Sequence, residues 1–142
     1  MNLKPEMIEQ LERVLSSVEQ LLPKPVRSVD WANCPAANWR RHSFSGFLEP
    51  VKVTDTTRLE ELLGVEEQKE ILVNNTRQFI AGLPANNALL WGSRGTGKSS
   101  LVKALLNEFA SKGLRVIQVE KEDLIYLSEI FAAVENEPYR FI

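Results

Sequence analysis

The run Ala88-Leu89-Leu90-Trp91-Gly92-Ser93-Arg94-Gly95-Thr96-Gly97-Lys98-Ser99-Ser100-Leu101-Val102 decides the fold. Its first four residues are apolar and follow a turn-favouring Asn86-Asn87 pair, which predicts a short buried parallel strand. Its end opens an amphipathic helix, Lys98 to Lys112, with Leu101, Val102, Leu105, Leu106 and Phe109 on one stripe and Gly113 as its stop. Between the two, the spacing Gly-x4-Gly-Lys-Ser gathers glycines, an ammonium and a hydroxyl where a strand turns into a helix.

That turn has a chemical use. Gly92, Gly95 and Gly97 permit backbone conformations closed to other residues. Main-chain N–H groups can then point inward around a compact anion. The helix start adds unpaired N–H groups and the positive end of its dipole. Lys98 supplies a mobile charge for β- and γ-phosphates, and Ser99 offers a hydroxyl oxygen to Mg²⁺. The run thus reads as a P-loop for a nucleoside triphosphate. Its binding residues are Gly92, Ser93, Arg94, Gly95, Thr96, Gly97, Lys98, Ser99 and Ser100, with most phosphate contacts expected from the N–H groups of Gly95 to Ser100. Lys98 is the candidate catalytic residue and Ser99 the candidate metal ligand. By chance the bare pattern arises in roughly one chain in two hundred of this length, and the strand–loop–helix context narrows that further. The bland alternative is a Gly-rich turn with a surface lysine. The Arg94 side chain has no role that the spacing assigns.

Working outward toward the C-terminus, Leu114 to Val119 reads as a second strand, and Asp123 as the cap of a helix bearing Leu124, Leu127, Phe131 and Val134. Tyr139 to Ile142 looks like a third strand beginning. Toward the N-terminus, Glu66 to Ala81 predicts a helix stopped by Gly82 and Pro84. Thr57-Arg58-Leu59-Glu60 has the form of a capping box before a short turn that Gly64 closes. Val51 to Val53 suggests a short strand. Val26 to Pro50 has no period but is rich in Pro, Asn and aromatics, including Trp31 and Trp39, and is expected to be an irregular, ordered segment packed on the main body. Leu3 to Leu22 predicts an amphipathic helix, with Ile8, Leu11, Leu15, Val18 and Leu22 at spacings of three and four and Pro23 and Pro25 at its end.

The expected fold class is α/β. It is a P-loop NTPase-like, three-layer parallel sheet, truncated after the start of its third strand and preceded by a mainly helical N-terminal region. Residues 1–54 form that N-terminal region and residues 55–142 the P-loop domain.

Composition narrows the partners. The 142 residues are 44% hydrophobic and 25% charged with a net charge of −2, so no global field recruits nucleic acid or an anionic membrane. Arg40-Arg41-His42 beside Trp39 could contact phosphate and stack on a base, but three basic residues read first as a solvated edge. His42 has no second ligand type at metal spacing. The single cysteine, Cys34, excludes an internal disulfide and fits a reducing compartment. There is neither a signal peptide pattern nor a run approaching the roughly 18 apolar residues that span a bilayer, so the expected location is cytoplasmic. Asn74-Asn75-Thr76 matches a glycosylation acceptor, a chance match without export.

From about Leu62 onward the chain resembles the AAA+ class of P-loop ATPases, and within it an uncharacterised bacterial family. The resemblance is carried by Leu63-Gly64-Val65-Glu66-Glu67-Gln68-Lys69 and, more specifically, by Pro84 to Val102. It implies ATP and Mg²⁺ as cofactors, and a homo-oligomer or the remainder of a longer chain as partner. It makes Leu63, Gly64 and Val65 adenine contacts; a helix-ending glycine explains the same three residues equally well. It implies ATP rather than GTP, and the Asn-Lys-x-Asp guanine signature is not present. AAA+ chains also carry an apolar strand ending in acidic residues, sensors and an arginine finger. None is found here, and Glu120, Glu122, Asp123 and Glu129 do not fit that pattern.

AAA+ sheets place the third and fourth strands between the first and second, so Ala88 to Trp91 is expected to lack its usual neighbours. Either the chain is the N-terminal part of a longer protein, or its strands pair in another order or with another chain. Three functions stay open: an ATPase in the intact protein, a nucleotide-responsive interaction module using the N-terminal helix, and a P-loop kinase, for which acceptor-site and lid residues are not evident.

Overall fold

A computed structural model describes residues 5–21, 28–42 and 45–142. The expected helix stop at Pro23 and Pro25, Leu22 of its stripe and Leu3 at its start lie outside the described residues. The element order is α1 (Pro5–Leu21), β1 (Ala36–His42), β2 (Ser45–Pro50), α2 (Glu66–Ile80), α3 (Lys98–Phe109), β3 (Leu114–Gln118), α4 (Leu127–Val134) and β4 (Arg140–Phe141). Short 3-10 turns cover Leu59–Glu61, Ala110–Lys112 and Lys121–Tyr126.

The fold is α/β with one mixed four-stranded sheet in the order β2-β1-β3-β4. β1 and β2 form an antiparallel hairpin, Ala37 opposite Pro50 and His42 opposite Ser45. β1 runs parallel to β3, and β3 parallel to β4. The all-parallel sheet expected from sequence is therefore corrected by the hairpin. Residues 36–42 and 45–50 are strands of the central sheet, not an irregular appendage, and the described part of the N-terminal region is not mainly helical beyond α1. Pairing of β1 with β3 also crosses the expected division at residues 54 and 55.

Alternation along β3 sends side chains to two apolar clusters. Leu114 joins Leu72, Leu101, Leu105 and Phe109 beneath α2 and α3. Ile117 packs against Val29, Trp31, Ala37, Trp39, Leu48, Ile130 and Val134 on the α4 side. The aromatic density of residues 31–48 is explained here: Trp31 and Trp39 are buried core residues, and Trp31 meets Phe141 edge-on at 4.8 Å. Trp39 is only 3% exposed and Arg40 pairs with Glu49 at 3.1 Å, so that indole is not a base-stacking platform.

Four local expectations shift. Ala88 to Trp91 forms no strand. Leu90 packs on the α2–α3 cluster, while Leu89 and Trp91 are each 85% exposed, so the strand-like alternation survives without a ladder. Val51 to Val53 is likewise not a strand, although the Val51 N–H donates to the Ala36 carbonyl at 2.9 Å. The capping box moves by one residue: the Arg58 N–H donates to Glu61 Oε2 at 2.8 Å, and Thr57 is itself held by Asp55. Asp123 does not cap α4 but sits inside the 3-10 turn that precedes it. No described helix is long and apolar enough to cross a membrane.

Candidate functional site

The site is built where residues 83–91 deliver the chain to α3. That approach is fixed laterally by α2. Asn75 Nδ2 donates to the Asn86 carbonyl at 2.7 Å, and Asn75 Oδ1 accepts the Asn86 N–H at 2.8 Å. From Gly92 the chain turns sharply, with φ of 136° at Gly92, 83° at Gly95 and 82° at Gly97. These left-handed values are open to glycine and strained for any residue with a Cβ. Gly97 is the N-cap of α3, and the first helical bond runs from the Leu101 N–H to the Gly97 carbonyl at 2.9 Å.

Lys98 folds back over this loop. Its Nζ donates to the carbonyls of Gly92 at 2.9 Å and Ser93 at 2.5 Å, and to Thr96 Oγ1 at 3.0 Å. Thr96 Oγ1 in turn donates to the Ser93 carbonyl at 3.0 Å. Among the described residues, no hydrogen bond takes up the main-chain N–H groups of Gly92 to Ser100. Those of Lys98, Ser99 and Ser100 are the donors that any helix leaves unpaired in its first turn. The loop therefore combines a bent run of unused amides, an ammonium on a flexible stem and the exposed Ser99 hydroxyl. Chemically this donor set fits a polyphosphate: amides and ammonium neutralise oxygens, and the hydroxyl is a hard oxygen ligand for a divalent cation. Arg94 is exposed at the loop tip.

The other candidates are less gathered. Leu63 is 82% exposed, Gly64 has φ 77° with its N–H donated to Glu66 Oε1 at 2.9 Å, and Val65 is half-buried. Among the described residues no hydrogen bond links these three to the loop. Their segment is anchored instead through Lys69, whose Nζ donates to the carbonyls of Leu59 and Leu62 at 2.9 and 3.1 Å. The Glu66 carboxyl is held below its ordinary range by the Gly64 N–H and its own. Glu120, Glu122 and Glu129 are exposed, and no described group of His, Cys, Asp or Glu clusters at metal-binding distance.

Sequence reasoning missed two supports of the site. One is Asn75, read there only as part of a chance acceptor motif; a polar side chain bonding to main chain from within a helix was its available signal. The other is a clasp on α3. Asn107 Nδ2 donates to the carbonyls of Asp55 and Thr57, both at 2.9 Å, and Lys103 pairs with Asp55 at 3.0 Å. The Asp55 carboxyl is held down at about 2 by the Thr57 hydroxyl and N–H, then by Lys103.

Beside the loop lies a largely apolar cavity of about 840 Å³, whose lining includes Ser99, Leu90, Phe141 and Ile142. The remaining loop residues do not line it.

Comparison with known proteins gives two matches. The family described as "Protein of unknown function (DUF815)" matches residues 32–142. The replication factor C large subunit of Ignicoccus hospitalis is 43% identical over 54 residues, covering 37% of this chain and 11% of that relative. The chain thus aligns with a small fraction of that subunit's length. No solved structure matches.

Proposed function

Since the chain belongs to the family described as protein of unknown function DUF815, matched over residues 32–142, we propose that it carries an ATP-binding module of the AAA+ type, part of a Mg²⁺-dependent ATPase. One observation carries the reading: among the described residues the amides of Gly92 to Ser100 are unused, and Lys98 Nζ folds over the same loop at the start of α3. Similarity to a replication factor C large subunit, an AAA+ ATPase, supports the same class.

In this reading the loop amides wrap the phosphates, and Lys98 exchanges its contacts with Gly92, Ser93 and Thr96 for β- and γ-phosphate oxygens. An ammonium moves readily in this way because it is a compact charge on a rotatable stem. There it offsets the charge of the transferring phosphoryl group. Ser99 would hold Mg²⁺ through its hydroxyl, and the ion would supply positive charge to the phosphates. Leu63, Gly64 and Val65 lie against the adenine. The protein works in the cytoplasm, as a homo-oligomer or with further chain completing the catalytic apparatus.

Fluorescent ATP titrated against the parent and a Lys98→Ala variant tests the site. Weakening by at least tenfold is expected, because a charge-assisted contact is worth about 1.5–3 kcal/mol. Equal affinity would overturn the assignment.

A second reading, a nucleotide-responsive interaction module, is favoured by α1. Met7, Ile8, Leu11, Val14, Leu15 and Val18 are all exposed along it. Sedimentation of the parent beside a Leu11→Asp/Leu15→Asp variant separates the readings. A parent mass above the monomer that falls in the variant supports self-association through α1. Monomers in both remove that form of the reading.

A further inference from the structure

Asn75 sits half-buried on α2, next to buried Thr76 and one turn after buried Leu72. Its amide satisfies both main-chain polar groups of Asn86, at 2.7 and 2.8 Å. A neighbouring strand would make this same pair of bonds to a single residue, yet residues 84–91 belong to no strand. At its start the approach is tied to the end of α2 by the Leu83 N–H donating to the Gln78 carbonyl at 3.0 Å, and at its far end Leu90 makes an apolar contact. Apolar contact is non-directional and tolerates sliding. The Asn75 pair is directional and fixes one residue at one height along α2. Six residues later the chain reaches Gly92, where the loop begins.

We propose that Asn75 is a positioning residue for the phosphate loop: it sets the register at which residues 86–91 pass α2, and thereby where the amides of Gly92 to Ser100 converge. The inference rests on the ATP-binding reading and adds a residue outside the loop to it. Asn75 touches no ligand in this role. It acts through Asn86, and any ligand held by several amides at once is sensitive to their common placement.

The test uses the full chain as the parent, with Asn75→Ala, Asn75→Asp, Asn74→Ala and Lys98→Ala. Each is titrated with a fluorescent ATP in Mg²⁺ and melted without nucleotide. Hydrogen exchange is read at the Asn86 N–H. Asn75→Ala is expected to weaken binding about tenfold, from the loss of two neutral hydrogen bonds. Its Asn86 N–H should exchange faster while its melting midpoint stays within a few degrees of the parent. Asn75→Asp retains the acceptor for the Asn86 N–H and should fall between the two. Asn74→Ala, one residue away and exposed, should bind as the parent does.

Parent-like affinity in a folded Asn75→Ala overturns the inference. Should that variant melt early, Asn75→Asp decides: folded with parent-like affinity, it overturns the inference as well. Loss of binding in Lys98→Ala alone removes the role of Asn75 and leaves the phosphate loop standing. Equal binding by the parent and Lys98→Ala, or no binding by the parent, overturns both.

Discussion

Arg115 shows how a single side chain can hold two layers together. It is 5% exposed on β3, yet no carboxylate pairs with it among the described residues. Carbonyls stand in: Nε donates to Trp31 at 2.6 Å, and Nη1 to Ala110 and Leu114, both at 2.8 Å. The guanidinium lies 3.9 Å from the centre of the Tyr139 ring. One planar cation thereby ties the Trp31 loop, the end of α3 and the approach to β4. Arg115→Ala should cost about 2–4 kcal/mol, since it strands buried carbonyls and opens a cavity. Arg115→Lys should recover only part, because an ammonium cannot reach both Trp31 and Ala110 while stacking. Denaturant midpoints of the two variants check this, and a fully restored lysine variant would contradict the fork geometry. Asp55 gives a pH prediction at the same scale. Its carboxyl is held from 3.8 down to about 2 by Thr57 and Lys103. A depressed folded value means that stabilisation is complete above pH 3.8 and fades as the pH falls toward 2. The clasp on α3 should therefore loosen only in that window, seen as accelerated exchange at the Thr57 N–H, and Asp55→Asn should abolish the dependence.

Among the elements, the loop is the one most exposed to a small change. A Cβ at Gly97 meets no atom within 4 Å, so Gly97→Ala tests backbone conformation without a clash. Its φ of 82° puts alanine in the left-handed region at about 1–2 kcal/mol. Relaxing that strain would swing the N–H groups of Lys98 to Ser100. ATP affinity should fall about tenfold or more, with little change in melting midpoint; unaltered affinity would show that the cap geometry is dispensable. The helices and the glycine loop were legible in the sequence because their causes are local: an apolar stripe, a stop glycine, a spacing. Thus α2 and α3 begin at Glu66 and Lys98 as expected. Ala88 to Trp91 was not legible as it stands, because a strand is completed by a neighbour's ladder and the local pattern specifies only the alternation that Leu90 retains. The hairpin of β1 and β2 escaped notice for a different reason. Ala-Ala-Asn-Trp-Arg-Arg-His lacks a clean period of two, and tertiary burial of Ala37 and Trp39 overrides its weak local preference.

At the scale of the whole molecule, the position of that hairpin decides how the chain divides. β1 pairs with β3 across the expected division at residues 54 and 55, and the strands β1 and β2 supply Ala37, Trp39 and Leu48 to the core. Trp39 is also keyed to Gly46 across the hairpin, where an added Cβ would clash with its ring. No rotamer of a packed indole yields that much, so Gly46→Ala should be among the most destabilising single changes, at about 3 kcal/mol or more. The larger consequence concerns dissection. A fragment of residues 55–142 would leave one edge of β3 unpaired and Ile130, Val134 and Ile117 without their partners. Buried main-chain groups without partners cost about 1–3 kcal/mol each, against a total domain stability of about 5–15 kcal/mol. That fragment should melt without a cooperative transition and bind ATP weakly, although it holds every candidate site residue. A fragment of residues 28–142 keeps the hairpin and should melt in one transition, with the affinity of the full chain. Calorimetry of the two fragments decides the matter, and cooperative melting of residues 55–142 would support the division at residue 54.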